Sequence, residues 1–346
     1  MPTIYLRDSS TTLATDSSHF TLRSNGRKVC RIAPTVVEQL IVAHGVEVTR
    51  AALDRLGAMG IPVTFLDREA RVRARLVPPW KFDATPRLGQ ARALFDEAAR
   101  LTIARRLIDA KVANAATVLC QHASNHPNPE LTGAARQLRD LRPQITSAPD
   151  IEILRGFEGL AGRIWFSVLG MMLRAPWAEF HGRNRRPPRD PVNAVLSYTY
   201  AVLSHQMLAL TEAAGLDPYI GYLHANEARR PNLVLDIMEP FRPVLGDRLM
   251  LRLINLGTLR PEHFAEERGT GHGIFIAEEG RLAILEAFSS WVNQCDESLG
   301  ARQPAPSSLL EADVTRFARH AAKHDVHNFV PFYLDPSDAP CLDPAQ

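Results

Sequence analysis

No stretch of this 346-residue sequence reaches 18 consecutive apolar residues, so no membrane-spanning helix is expected. The four cysteines, Cys30, Cys120, Cys295 and Cys341, lie far apart and form no C-x-x-C pair. That spacing argues against both a disulfide framework and a zinc knuckle, and it suits a reducing compartment. The opening segment MPTIYLRDSS has no basic stretch leading into an apolar core, so a secretory leader is not expected and a cytoplasmic location is. Repeats are missing as well, which sets solenoids and propellers aside. Neither charge dominates: 40 Lys and Arg against 38 Asp and Glu leave +2, a balance that neither announces nor excludes a nucleic-acid partner.

What is present is ordinary globular chemistry, 45% hydrophobic and 23% charged, enough to build a sizeable core. The length exceeds that of a usual single core and predicts two domains. Charge is uneven along the chain. Residues 1–82 carry 12 Lys and Arg against 7 Asp and Glu, and RNRRPPR places Arg183, Arg185, Arg186 and Arg189 within one short loop.

Residues 1–78 read as a β-rich domain. Short runs such as TIYL, HFTLRS, KVCRIA, VEQLIVA, IPVTFLD and ARVRARLVP are separated by turn signals such as SNGRK. One helix interrupts them, with Ala52, Leu53, Leu56 and Met59 at helical spacing and Gly60 placed to end it. VPPWKFDATP, rich in proline, predicts a linker over 79–90. Residues 91–330 then follow long helical periodicities, and 331–346 read as an extended, proline-rich, acidic tail. The predicted fold class is α+β: a small β-rich N-terminal domain followed by a larger all-α domain.

Several acids sit where the core should be. On a helix over 151–172, Ile151, Leu154, Ala161, Trp165, Leu169 and Met172 all fall within roughly 60° of Glu158. A buried, unpaired carboxylate costs several kcal/mol, so Glu158 needs a proton, a hydrogen bond, a cation or a metal. Gly156, Gly159 and Gly162 flank it, each costing about 1 kcal/mol of helix propensity relative to alanine. That cost makes sense where something approaches the backbone closely. In PNLVLDIMEPFRP, Asp236 and Glu239 stand at i and i+3 within an apolar run and share one face of a helical turn, and His224 lies fifteen residues before Glu239. Carboxylates with an imidazole suit Mg²⁺ or Mn²⁺, and the imidazole tips preference toward Mn²⁺. Buried acids paired with Lys or Arg satisfy the same pattern, and spacing alone leaves both readings open.

The segments LRGFEGLAGRIWF, RNRRPPRDPVNAVLSYTYAVL, GLDPYIGYLHANEARRPNLVLDIMEPFRPVLGDRLML and GHGIFIAEEGRLAILEAF resemble the CRISPR-associated integrase, the large subunit of the spacer-acquisition machinery. The likeness covers nearly the whole chain, in matching order and spacing. It implies a β-rich N-terminal domain joined to an α-helical catalytic domain, and a metal-dependent DNA endonuclease that inserts captured fragments into a repeat array. It further implies Glu158, His224 and Glu239 as catalytic metal ligands for Mg²⁺ or Mn²⁺, with Asp236 standing behind them or lending charge. Where other members have aspartate at the last ligand position, this chain has Glu239, one methylene longer. The implied partners are double-stranded DNA, as captured fragment and as repeat array, a second copy of the chain, and a small bridging subunit.

Arg183, Arg185, Arg186 and Arg189 are candidate phosphate contacts, adding affinity without sequence information. A solvated loop is the alternative. Tyr198, in the NAVLSY run with Asn193 and Ser197, is a candidate substrate contact or a core residue, and Arg242 is expected to pair with a nearby acid. GTGHG, residues 269–273, reads as a turn, and HAAKHDVH as an amphipathic helix end rather than a metal pair. Two other functions compete with integration: a stand-alone metal nuclease in repair or transposition, and a non-catalytic DNA-organising protein.

Overall fold

The computed structural model describes residues 3–16, 18–37, 39–68, 72–78, 84–185, 187–224, 230–266, 273–293 and 305–339. The chain divides into two compact units, one of Met1–Lys81 with Ala277–Ser308, the other of Phe82–Ile276 with Leu309–Gln346.

The first unit holds two four-stranded sheets. In one, β1 (Thr3–Leu6) and β7 (Val63–Leu66) flank β5 (Gln39–Val42) in parallel, and β8 (Val72–Leu76) adds antiparallel to β7. In the other, β2 (Thr11–Thr15), β3 (Phe20–Ser24) and β4 (Arg27–Ile32) form an antiparallel meander, and β6 (Glu47–Val48) lies parallel to β2. Asn25 and Gly26, with φ of 48° and 77°, make the tight turn between β3 and β4 that the SNGRK signal predicts. Strand β2 escapes the sequence reading because TTLAT offers a single large apolar side chain, Leu13.

Helix α1 (Arg50–Ala58) starts where the Thr49 hydroxyl accepts from the Ala52 N–H at 3.3 Å. Its Ala52 and Leu56 enter a core with Leu13, Phe20, Leu40 and Val63. Residues 277–308, assigned by periodicity to the helical domain, group instead with this unit. Their helix α9 (Glu278–Asn293) sets Phe288 edge-on to Tyr5, centroids 6.0 Å apart. Periodicity reports which face of a helix is buried, and is silent about which sheet it is buried against.

In the second unit, the α-helices among the described residues are α2 (Thr85–Phe95), α3 (Glu97–Asn125), α4 (Pro129–Thr146), α5 (Ile151–Leu169), α6 (Pro191–Ala213), α7 (Asn232–Met238), α8 (Arg248–Asn255) and most of α10 (Pro306–Ala322). It is not purely helical. β9 (Phe264–Glu266) and β10 (Ile274–Ile276) form a two-stranded antiparallel sheet. The linker expected over 79–90 is shorter than predicted, because α2 begins at Thr85 with proline in its first turn, where a missing N–H costs nothing. The continuous helix read from residue 91 breaks at Asp96, whose carboxylate caps α3 by accepting from Ala99 N–H at 3.0 Å. At 29 residues, α3 runs roughly 43 Å through this unit, and Leu107, Ile108, Ala113 and Leu119 on it are buried.

The start of the expected tail is docked. Phe332, Tyr333 and Leu334 are buried, Tyr333 Oη donates to Asp109 Oδ2 at 2.8 Å, and Leu334 N–H donates to Asn114 Oδ1 at 2.7 Å. No helix among the described residues is long and apolar enough to cross a membrane. Cys30 and Cys120 are free thiols, whereas Cys295 and Cys341 lie outside the described residues.

Candidate active site

Glu158, His224 and Glu239 line one cavity of about 150 Å³ in the helical unit, together with Lys111, Arg185, Tyr200, Arg242 and Asp247. The local backbone explains how. Helix α7 does not simply continue: Glu239–Phe241 tighten into a 3₁₀ turn and Arg242–Asp247 widen into a π-helical turn before α8 resumes. Pro240 and Pro243 lack the N–H that an α-helical ladder needs, and helix irregularities of this kind gather at functional sites. Asp236 and Glu239 therefore serve different neighbours, despite their i, i+3 spacing.

Asp236, fully buried, clamps the loop that carries His224. Its carboxylate accepts from the N–H groups of Tyr222 (2.5 Å), Leu223 (3.0 Å) and His224 (3.2 Å), and from His224 Nδ1 at 2.5 Å. Arg100 from α3 and Arg155 from α5 hold the carbonyls of Tyr222 and Leu223 at 2.8 and 2.6 Å. Gly221 lets this loop press against α7, since a Cβ there would lie 2.7 Å from the Asn232 backbone. With Nδ1 committed to Asp236, the neutral ring keeps its lone pair on Nε2. Burial pulls the His224 pKa down, but the Asp236 hydrogen bond and the charges of Asp236 and Glu239 leave it raised.

Glu158 lies on the core-facing stripe of α5, half-buried, at the cavity wall, as the helical periodicity predicts. Its Oε1 pairs with Lys111 Nζ, and the same ammonium lies 2.7 Å from Glu239 Oε2. Arg242 Nε stands 2.9 Å from Glu239 Oε1, as expected of an arginine partnered with an acid. Burial opposes ionisation of Glu239, yet Arg242 and Lys111 hold its pKa at about 2. These are ion contacts rather than aligned bonds, so Glu239 Oε2 is buried without a hydrogen-bond partner. The Gly156, Gly159 and Gly162 stripe meets nothing within 4 Å, and Gly159 and Gly162 open onto an adjoining groove with Arg163 and Arg185.

Behind the cavity, Tyr200 Oη donates to Asp247 Oδ1 at 2.5 Å, and Arg242 lies over the Tyr200 ring at 4.8 Å. Gly246 makes this possible, because a Cβ there would meet Tyr200 Cε1 at 2.6 Å. Burial raises the Asp247 pKa to about 6 despite Tyr200 and two arginines. Lys111, Tyr200 and Asp247 were not singled out from sequence. Lys111 carries a faint signal, a lone lysine on the inward side of a helix otherwise rich in arginine.

The arginine loop divides. Arg185 is exposed and borders the cavity, and Arg189 is exposed. Arg183 instead turns inward, donating to Asn193 Oδ1 at 2.7 Å and Ser197 Oγ at 3.1 Å, and burial lowers its pKa to about 10. It is a loop anchor rather than an open phosphate contact. Arg186 lies outside the described residues, as does most of the 269–273 glycine segment. Tyr198 is 8% exposed and faces the core, while Tyr200, two residues and 200° further round α6, lines the cavity. His320 Nδ1 sits 2.9 Å from Asp325 Oδ1 at the end of α10.

As placed, no three His, Cys, Asp or Glu side chains among the described residues are grouped to hold a metal. The donor chemistry still fits a divalent ion. Two carboxylates already share one cation, Lys111 Nζ, one of their oxygens has no hydrogen-bond partner, and the imidazole in the same cavity is held in the ligating tautomer.

The family model described as CRISPR associated protein Cas1 matches residues 4–290. The CRISPR-associated endonuclease Cas1 2 of Rhodospirillum rubrum is 33% identical over 342 residues, spanning 96% of this chain and 98% of its own. A solved Cas1 protein from Thermotoga maritima superposes with a TM-score of 0.76 at 25% identity, covering 93% of this chain and 97% of that one. A casposase solved with its integration product shares the fold, with a TM-score of 0.78 at 19% identity, over 97% and 95% of the two chains.

Proposed function

The chain belongs to the CRISPR-associated Cas1 family, and from that premise we propose that it is a divalent-metal-dependent DNA integrase that joins short fragments to a repeat array by strand transfer. The observation that carries the reading is the clamp of Asp236 on His224 beside the Glu158 and Glu239 pair. A buried carboxylate that spends all four of its contacts on orienting one histidine loop is the support expected behind a metal ligand. Glu158, His224 and Glu239 would hold Mg²⁺ or Mn²⁺, which when bound supplies Lewis-acid stabilisation of charge on a phosphoryl oxygen.

The chain's own side chains do the rest. Arg185 at the cavity edge, with Arg189 on the same loop, would bind and orient the DNA backbone. Arg242, fixed by Tyr200 and Glu239, would keep positive charge near a phosphate bound in the cavity. The attacking group would be a DNA 3′-hydroxyl, displacing a 3′-oxygen in the repeat, so one phosphodiester forms as another breaks. The partners on this reading are double-stranded DNA, a second copy of the chain and a small bridging subunit, in the cytoplasm.

The test mixes the full chain with a repeat-bearing plasmid and a short duplex carrying free 3′-hydroxyls, in Mn²⁺ or in chelator. Joined products are expected in Mn²⁺ and should vanish with His224→Ala. Cuts without joining would replace the reading with a stand-alone nuclease. Products indifferent to His224→Ala would leave a DNA-organising protein.

A further inference from the structure

The chain uses 36 arginines and only four lysines, Lys28, Lys81, Lys111 and Lys323. One of those four stands between two acids of the active site. Lys111 Nζ contacts both Glu158 and Glu239, at the wall of the cavity that the two acids line. The choice of cation matters. A guanidinium is a rigid, planar fork that grips a carboxylate through two bonds, whereas an ammonium is a compact point charge on a flexible stem. The other cation on Glu239 is an arginine, and it is tied down twice: Arg242 lies over the Tyr200 ring at 4.8 Å, and its Nε stands 2.9 Å from Oε1. Among the described residues, Lys111 Nζ meets the two carboxylates and no aromatic ring.

We propose that Lys111 is a displaceable internal cation, holding Glu158 and Glu239 together in the ion-free protein and yielding the two carboxylates when a divalent ion enters. This rests on the metal-site reading above and deepens it. Without a cation between them, two carboxylates in a half-buried site repel and splay apart, so the ammonium keeps them in register. By the same contacts it competes with the ion, and net affinity is the difference between the two. Lys111 is thus a positioning residue, arranging the acids without acting on the DNA itself.

Calorimetric titration of Mn²⁺ into the full chain tests it, with two substitutions of opposite expected sign. Lys111→Met removes the competitor and should tighten Mn²⁺ binding about tenfold or more. Lys111→Arg keeps the charge as a fork that releases carboxylates poorly, and should weaken binding by a similar factor. An ordinary structural ion pair predicts the reverse order, with Arg near wild type and Met weakened. That order, or equal affinities, overturns the proposal.

Should Lys111→Met fail to fold, the wild type can be acetylated with and without Mn²⁺ and Lys111 followed by mass spectrometry. Several-fold faster modification in Mn²⁺ is expected, and an unchanged or slower rate overturns it. If the wild type registers no Mn²⁺ binding at all, the metal-site reading falls first and this inference with it. If the wild type binds but the variants do not separate as stated, only the role of Lys111 falls.

Discussion

Nδ1 of His224 lies 2.5 Å from Oδ1 of Asp236, and the backbone N–H of the same histidine reaches the same oxygen at 3.2 Å. One carboxylate therefore sets both the position of the residue and the tautomer of its ring. Asp236→Asn keeps the size but replaces one acceptor oxygen with a donor that faces N–H groups. The expected result is a loss of about 10- to 100-fold in Mn²⁺ affinity, read by calorimetry, with a parallel loss of joined product.

Tyr200→Phe removes the hydroxyl that donates to Asp247 while leaving the ring under Arg242. A buried carboxyl loses a partner, at a cost of about 1–3 kcal/mol. The urea midpoint should fall accordingly with an unchanged slope.

Asn114 ties three parts of the helical unit together. Its amide donates to Pro240 O at 2.8 Å and Phe332 O at 3.1 Å, and its oxygen accepts from Leu334 N–H. Asn114→Ala should cost about 1–3 kcal/mol and free the C-terminal segment from α3. Hydrogen exchange at the Leu334 amide, slow in the wild type, should become fast.

Asp313, outside the residues that line the cavity, offers a pH test. Burial raises its pKa from 3.8 to about 6, although Arg316 pulls the other way, and its Oδ2 has no hydrogen-bond partner. A carboxyl with a raised folded pKa binds its proton more tightly in the native state, so it costs stability above about pH 6. That cost is relieved as pH falls toward 3.8. Measured in urea, wild-type stability relative to Asp313→Asn should rise between pH 7 and pH 5, by on the order of 1–2 kcal/mol. A falling difference would show the carboxylate to be stabilised as an anion.

Much of the fold was legible because periodicity reports burial directly. The stripe of Leu154, Ala161, Trp165 and Leu169 on α5 is buried, and Glu158 stands on the same side. A capping residue such as Asp150 marks a helix start by a local hydrogen bond that depends on no distant residue, whereas the Asp96 cap was hidden inside one continuous helical pattern. Boundaries blurred where local signals were weak, as at β2, or where burial came from a distant partner, as in the docked segment around Tyr333.

The amino-acid sequence by itself determined the composition of the site: an acid on an apolar helical stripe, a histidine, and an acid pair three residues apart. Those follow from residue identity and spacing, which a chain carries whether folded or not. Only the tertiary structure decided their partners. It turned Asp236 onto His224 and Glu239 onto Lys111, drew Arg183 inward and left Arg185 at the cavity, and exchanged Tyr198 for Tyr200. Charge pairing depends on distance in space, and residues 111, 158 and 239 meet only once α3, α5 and the turn after α7 have packed.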